Sequence, residues 1–78
     1  MRRRERRLIV AFYTTHDAMA FEDFCLSRGV EGRLIPLPRE ISAGCGLAWS
    51  APPGNEMELR ERLREAGVRP QHVKELEI

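Results

Sequence analysis

The sequence lacks a long hydrophobic run, a set of paired cysteines and the length for a second domain. Its longest apolar run covers residues 8–13, far short of the ~20 residues that a membrane-spanning helix needs. Two cysteines are too few for a miniprotein held together by disulfides. With 78 residues, the chain is expected to form one small layered domain, and this size argues against a deep substrate cavity.

Motifs for cofactors, metals and export are also missing. The sequence contains no glycine-rich loop of Rossmann or P-loop type, so no nucleotide cofactor is expected. No CxxC or HxxxH spacing indicates a metal site. A site made of His16, His72 and Cys45 would form only if the fold brought these three residues together. No small-residue cleavage site follows the apolar run, so we expect a cytoplasmic protein with reduced thiols and no membrane partner.

The charges are unevenly distributed along the chain. Residues 1–7 hold five arginines and one glutamate, whereas residues 8–78 carry a small excess of acidic groups. We therefore divide the chain into a basic N-terminal arm, residues 1–7, and a single domain, residues 8–78. Such an arm can contact phosphate or nucleic acid, although a solvated terminus is the simpler interpretation.

Hydrophobic periodicity predicts four strands and two helices in the order βαββαβ. The predicted strands cover residues 8–13, 33–37, 47–51 and 73–78, and the predicted helices cover residues 18–29 and 55–66. Pro36 lacks an N–H group, which places the second strand at a sheet edge. With short connections, this order predicts a ferredoxin-like α+β two-layer sandwich, in which a four-stranded antiparallel sheet carries two helices on one face.

The helix ends support an internal repeat with a shift of 38 residues. When the sequence is aligned with itself at this shift, Gly29 aligns with Gly67, and each glycine is expected to end its helix as a left-handed cap. Asp17 falls on Asn55, and both are expected to cap a helix start. Asn55 also has capping-box spacing to Glu58.

The candidate site lies in the loop between the second and third strands. The fold places this loop beside the start of the first helix, with residues 71–72 close by. Cys45 stands in it between Gly44 and Gly46, and glycine neighbours are expected to leave the thiol exposed. A helix N-terminus with its positive dipole end favours the reactive thiolate. We therefore predict a nucleophilic or group-carrying thiol, although a small residue filling a tight turn remains an alternative.

Four other side chains are predicted to serve this thiol. Arg39 and His16 would be nearby cations or donors, Ser42 a hydrogen-bond donor, and Thr15 part of the adjoining helix start. Cys25, by contrast, lies on the apolar face of the first helix, so we expect it to be an inert core thiol and not a disulfide partner of Cys45.

Trp49 has two interpretations. Strand alternation places it on one face with Leu47, where core packing is expected. The alternative is an aromatic contact for a partner on the open face of the sheet.

Three segments of the chain resemble a family of small bacterial proteins described as selenium/sulfur carrier-like, a domain of unknown function. The segments read THDAM, RLIPLPREIS and CGLA, and begin at Thr15, Arg33 and Cys45. The resemblance covers about residues 8–77, and its most specific part is PREISxxCGLA. It implies that Cys45 carries sulfur or selenium as a persulfide or selenopersulfide. The partners implied are a donor sulfurtransferase or selenium-delivery protein and an acceptor protein.

The chain departs from better-understood small sulfur carriers at one position. Those proteins place a Cys-Pro-x-Pro motif at the start of the first helix, where this sequence reads Thr-Thr-His-Asp over residues 14–17. Any carrier thiol here must come from the loop opposite. We accordingly expect a carrier or binding protein, not an enzyme with turnover.

Two other functions stay open. The first is a non-catalytic ferredoxin-like binding module for nucleic acid or a small metabolite. The basic arm supports RNA contact, but the strands lack the aromatic RNA-recognition signature, which disfavours nucleic acid. The second is a regulatory or oligomerisation domain that pairs through edge strands. Pro36 and the short, charged last strand weaken both edges, so a dimer is compatible with the sequence but not implied.

Overall fold

The computed structural model describes residues 4–78 of the chain, and its architecture is the predicted βαββαβ. The elements are β1 (Arg6–Phe12), α1 (Thr15–Arg28), β2 (Arg33–Pro36), β3 (Leu47–Ala51), α2 (Glu56–Ala66) and β4 (Pro70–Glu77). The strands form one sheet in the order β2-β3-β1-β4, and every neighbouring pair is antiparallel. The ferredoxin-like α+β fold is thereby confirmed, and β2 lies at an edge as Pro36 predicted.

The two strands at the chain ends are longer than predicted. Arg6 and Arg7 belong to β1 because they pair with Glu77 and Leu76 of β4, which begins at Pro70. Beyond the strands, the backbones of Glu5 and Ile78 exchange two hydrogen bonds of 2.9 Å. Residues 1–3 of the predicted arm lie outside the described residues, and whether residues 1–7 act as an arm stays a prediction.

The helix starts differ from the predicted caps. Thr14 precedes α1 in extended conformation, and its side chain accepts a hydrogen bond from the Asp17 amide at 3.1 Å. The prediction that Asp17 is the cap is therefore wrong; its carboxylate lies in the first turn, where a negative charge suits the helix dipole. Asn55 precedes α2, but its side chain makes no capping hydrogen bond, so the predicted capping box does not form.

The helix ends agree with the predicted repeat. Gly29 and Gly67 adopt left-handed conformations with φ of 67° and 73°. The amides of Val30 and Val68 donate back to the Cys25 and Leu63 carbonyls at 2.9 and 3.0 Å. Both helices therefore end in the same way. None of the helices within residues 4–78 is both long enough and apolar enough to span a bilayer.

The main core lies between the sheet and the helices. It contains Phe21 and Cys25 of α1, Leu63 of α2 and Trp49 of β3, all at most 1% exposed. Ring centroids of Phe21 and Trp49 are 5.5 Å apart in an edge-to-face arrangement. The core placement of Cys25 and Trp49 is thus confirmed.

A second, smaller core covers part of the other sheet face, which we had expected to be open. Ile9, Ala11 and Ala48 project from that face and are fully buried. Ile41, from the loop between β2 and β3, packs on them and is only 6% exposed. The loop therefore folds over the sheet instead of extending from its end.

Candidate functional site

The loop between β2 and β3, residues 37–46, lies where the fold predicts it. The Gly44 amide donates to Gln71 Oε1 of β4 at 2.9 Å, and His72 Nε2 lies 3.1 Å from the Ser42 carbonyl oxygen. At the base of the loop, the Leu37 amide donates to the Gly46 carbonyl at 2.9 Å. These bonds hold the cysteine-bearing segment against the start of β4.

The sulfur of Cys45 faces two polar groups at the start of α1 and β3. The Leu47 amide donates to Cys45 Sγ at 3.3 Å. Thr15 Oγ1, from the first residue of α1, lies 3.7 Å from the same sulfur. An amide N–H, a hydroxyl and the positive end of a helix dipole can together stabilise a negative charge on sulfur. The predicted neighbourhood of Cys45 and Thr15 is therefore present.

The predicted exposure of Cys45 is wrong, since its residue is only 3% exposed and packs against the main core. The sequence argument assumed that two glycines would uncover the thiol. The Cys45 side chain instead turns into the main core, while Ile41 of the same loop packs on the other sheet face and the Gly44 amide bonds to Gln71 of β4. At rest the thiol is shielded.

The two glycines beside Cys45 have different structural roles. A β-carbon at Gly44 would lie 2.5 Å from the Tyr13 carbonyl oxygen, which is part of the backbone and has little freedom to move. A β-carbon at Gly46 would meet no heavy atom within 4 Å. Gly44 therefore permits close contact with the end of β1, whereas Gly46 leaves one side of the loop open to an approaching molecule.

We expect Gly44→Ala to displace the loop and to lower the free energy of unfolding by about 1–3 kcal/mol, the usual cost of overpacking. Gly46→Ala is the matched control, and we expect it to change stability by less than about 0.5 kcal/mol. Neither glycine has a positive φ, so backbone strain does not separate the two variants. Urea unfolding followed by circular dichroism measures both, and equal losses would contradict the assigned close contact.

The other predicted site residues lie around the loop without contacting the thiol through polar groups. Arg39, Ser42 and His16 are exposed. Ser42 contributes its carbonyl to His72 and not its hydroxyl to Cys45. The hydrogen bonds of Cys45 within the described residues go to Thr15 and Leu47 alone. The predicted roles of Arg39, Ser42 and His16 at the sulfur stay predictions.

Sequence reasoning missed the groups that shape this site. The Leu47 amide acts through backbone geometry, which leaves no motif in the sequence. Residues 71–72 were expected near the loop, but the hydrogen bond from the Gly44 amide to Gln71 was not. Ile41 had a usable signal, because an isoleucine inside a polar loop has to be buried somewhere.

Cys25 and metal binding can be assessed from the same contacts. Burial raises the pKa of the Cys25 thiol to about 11, so this group stays protonated and inert at neutral pH. Both cysteines are free thiols. Across residues 4–78, no three His, Cys, Asp or Glu side chains gather in a way that could hold a metal ion.

Comparison with known proteins gives one match. A family model described as "Putative Se/S carrier protein-like" matches residues 7–75, nearly the whole chain. The matched segment includes most of β1, the cysteine loop and most of β4. No curated protein and no solved structure matches the chain significantly.

Proposed function

Because the chain belongs to the Se/S carrier protein-like family, we propose that it holds sulfur or selenium on Cys45 and passes it between partner proteins. The observation that carries the proposal is the position of the Cys45 sulfur, 3.3 Å from the Leu47 amide at the start of β3 and 3.7 Å from Thr15 Oγ1 at the start of α1. The inert Cys25 thiol in the core leaves Cys45 as the carrier.

The proposed transfer needs no oxidant or reductant besides the donor persulfide. The Cys45 thiolate attacks the outer sulfur of that persulfide, and a new S–S bond forms as the donor's own S–S bond breaks. The donor cysteine leaves as a thiolate and takes up the proton that Cys45 gave up. The Leu47 N–H and the Thr15 hydroxyl would stabilise the anionic sulfur before and after transfer. The same balance holds with selenium in place of the outer sulfur.

Because the thiol is buried, we also propose that the loop controls access to it. With Cys45 only 3% exposed, a partner's cysteine reaches the sulfur only when residues 37–46 move. The same closed loop would protect a bound persulfide from small thiols in solution. Local opening of such a loop costs less than global unfolding, so a docking partner can supply the energy. The side beside Gly46 is open and is where we place the approach.

Incubation with a small-molecule persulfide, followed by mass spectrometry and peptide mapping, tests the proposal. We expect the wild-type chain to gain one sulfur atom on Cys45, Cys45→Ser to gain none, and Cys25→Ser to behave as wild type. Cys25→Ser is the matched control because it removes a thiol that burial keeps protonated. Sulfur uptake by Cys45→Ser would refute the proposal. So would absence of uptake by the wild-type chain under conditions in which iodoacetamide alkylates Cys45, because alkylation shows that small molecules reach the thiol.

A further inference from the structure

One cavity has no residue of the cysteine-bearing loop in its lining and plays no part in the proposed transfer. It has a volume of about 610 Å³ and is lined by Arg7, Arg33, Ser50, Ile35, Ile78 and Glu5, together with Gly32. It opens on the sheet face without helices, at the end where β1 and β2 begin. We propose that this cavity, the sheet-face cavity, binds a small molecule that carries an oxyanion, such as a phosphate monoester or a carboxylate, on a short apolar group.

Arg7 is held in place by a buried serine. Its Nε donates to Ser50 Oγ at 2.9 Å, and its Nη2 lies 3.4 Å from the Ser50 carbonyl oxygen. Ser50 is only 4% exposed, the one buried polar residue among those described. Its hydroxyl accepts from Arg7 and keeps its own proton available for a ligand. This arrangement orients one guanidinium group at the cavity wall.

Arg33 approaches the same serine from the opposite side. In the register of β2 with β3, Arg33 lies directly across from Ser50, while Ser50 also faces Ile9, two residues from Arg7. Arg7 and Arg33 therefore line the cavity from the two strands on either side of Ser50. Salt bridges within residues 4–78 occupy four other arginines, namely Arg6, Arg60, Arg62 and Arg64.

The charge of the sheet-face cavity favours an anionic ligand. Neither Arg7 nor Arg33 has a carboxylate within 4 Å among the described residues, and Glu5 is the sole acidic residue in the lining. Guanidinium groups bind carboxylate and phosphate through paired hydrogen bonds. An oxyanion would therefore gain charge-assisted bonds from two arginines and one serine.

The apolar walls and the volume favour a small molecule over nucleic acid. Ile35 and Ile78 line the cavity beside the arginines and can pack against a short hydrocarbon group. Small-molecule sites usually have volumes of roughly 300–1,000 Å³. Binding of single-stranded nucleic acid relies on aromatic side chains that stack with bases. No aromatic side chain lines this cavity, and Phe12, Phe21 and Trp49 all lie in the main core.

An NMR titration of the full chain tests the inference. The probe is n-butyl phosphate, compared with butyrate, inorganic phosphate and uncharged n-butanol, and amide shifts are followed in ¹⁵N-labelled protein. We expect saturable shifts at Gly32, Arg33 and Ser50 with n-butyl phosphate or butyrate, weaker binding of inorganic phosphate, and no saturable shifts with n-butanol. Arg33→Gln should weaken binding by about 10-fold, as expected when a charge-assisted hydrogen bond is lost.

Arg28→Gln is the matched control, because it removes the same charge from an arginine that lies over the Phe24 ring on the helix face. We expect it to change affinity by less than about twofold, since exposed charges act weakly at a distance. Equal weakening by both variants, or no saturable shift at these residues, would overturn the site. If inorganic phosphate binds as tightly as n-butyl phosphate, the proposed contact between the apolar walls and the ligand is wrong. If a short RNA binds more tightly than these probes, with a strong salt dependence, and Arg33→Gln abolishes that binding, the ligand is nucleic acid and not a small molecule.

Discussion

Replacing Phe21 with alanine should lower the free energy of unfolding by about 3–5 kcal/mol, the range for a phenylalanine removed from a packed core. Phe21 is fully buried, and its ring lies 5.9 Å from that of Phe12 and 5.5 Å from that of Trp49. A chain of 78 residues has a total stability of only about 4–12 kcal/mol. The variant therefore loses a large part of its stability, which urea unfolding followed by circular dichroism will show.

Phe24→Ala is the control for this prediction. The Phe24 ring stacks on Phe21 at 6.3 Å, but it is half-buried, and the Arg28 guanidinium covers it at 4.1 Å. Because its removal opens a surface groove and not a closed cavity, we expect a loss of only about 1–2 kcal/mol. A loss from Phe24→Ala equal to that from Phe21→Ala would mean that the aromatic cluster is not organised around Phe21.

The parts of the fold that sequence predicted well rest on local signals. The helical spacing of Phe21 and Cys25 indicated which face of α1 is buried, and the structure buries both. Gly29 and Gly67 marked the helix ends because few other residues adopt left-handed backbone conformations. Pro36 marked an edge strand because it cannot donate to a neighbour. Each signal is read within a few residues, so no knowledge of distant contacts is required.

The parts that sequence missed depend on contacts between distant segments. The sequence predicts a last strand that is too short, because charged residues obscure the alternation of apolar and polar positions. In the structure, β4 pairs with β1 from Pro70 onward. Arg7 was assigned to a charged terminus, but its contact with Ser50 spans 43 positions in the chain. Cys45 is buried in the main core and Ile41 on the other sheet face, and both come from a loop without periodicity. Chemistry at Cys45 therefore cannot be judged from its glycine neighbours alone.

Ile41→Ala should make the Cys45 thiol at least about 30-fold more reactive toward iodoacetamide, because it weakens the contact that holds the cysteine-bearing loop against the sheet. Ile41 is 6% exposed and packs on Ile9, Ala11 and Ala48 of the sheet. Truncation of a buried isoleucine costs about 2–5 kcal/mol. If the whole loss destabilises only the closed state of the loop, a loss of 2 kcal/mol raises the fraction of molecules with an open loop by about 30-fold, since 1.36 kcal/mol corresponds to a tenfold change. Timed alkylation in native buffer with peptide mapping measures the rate at each cysteine.

Leu59→Ala separates loop opening from global unfolding. Leu59 is 5% exposed and lies in the first turn of α2, at the sheet end away from the loop, and its truncation costs a similar free energy. If Cys45 is reached by local opening, Leu59→Ala lowers global stability but leaves the alkylation rate of Cys45 close to that of the wild-type chain. If both variants accelerate alkylation equally at equal stability, the thiol is exposed only by unfolding. A carrier gated by the loop requires the first result, because a partner that docks on the folded domain has to reach the sulfur without unfolding the core.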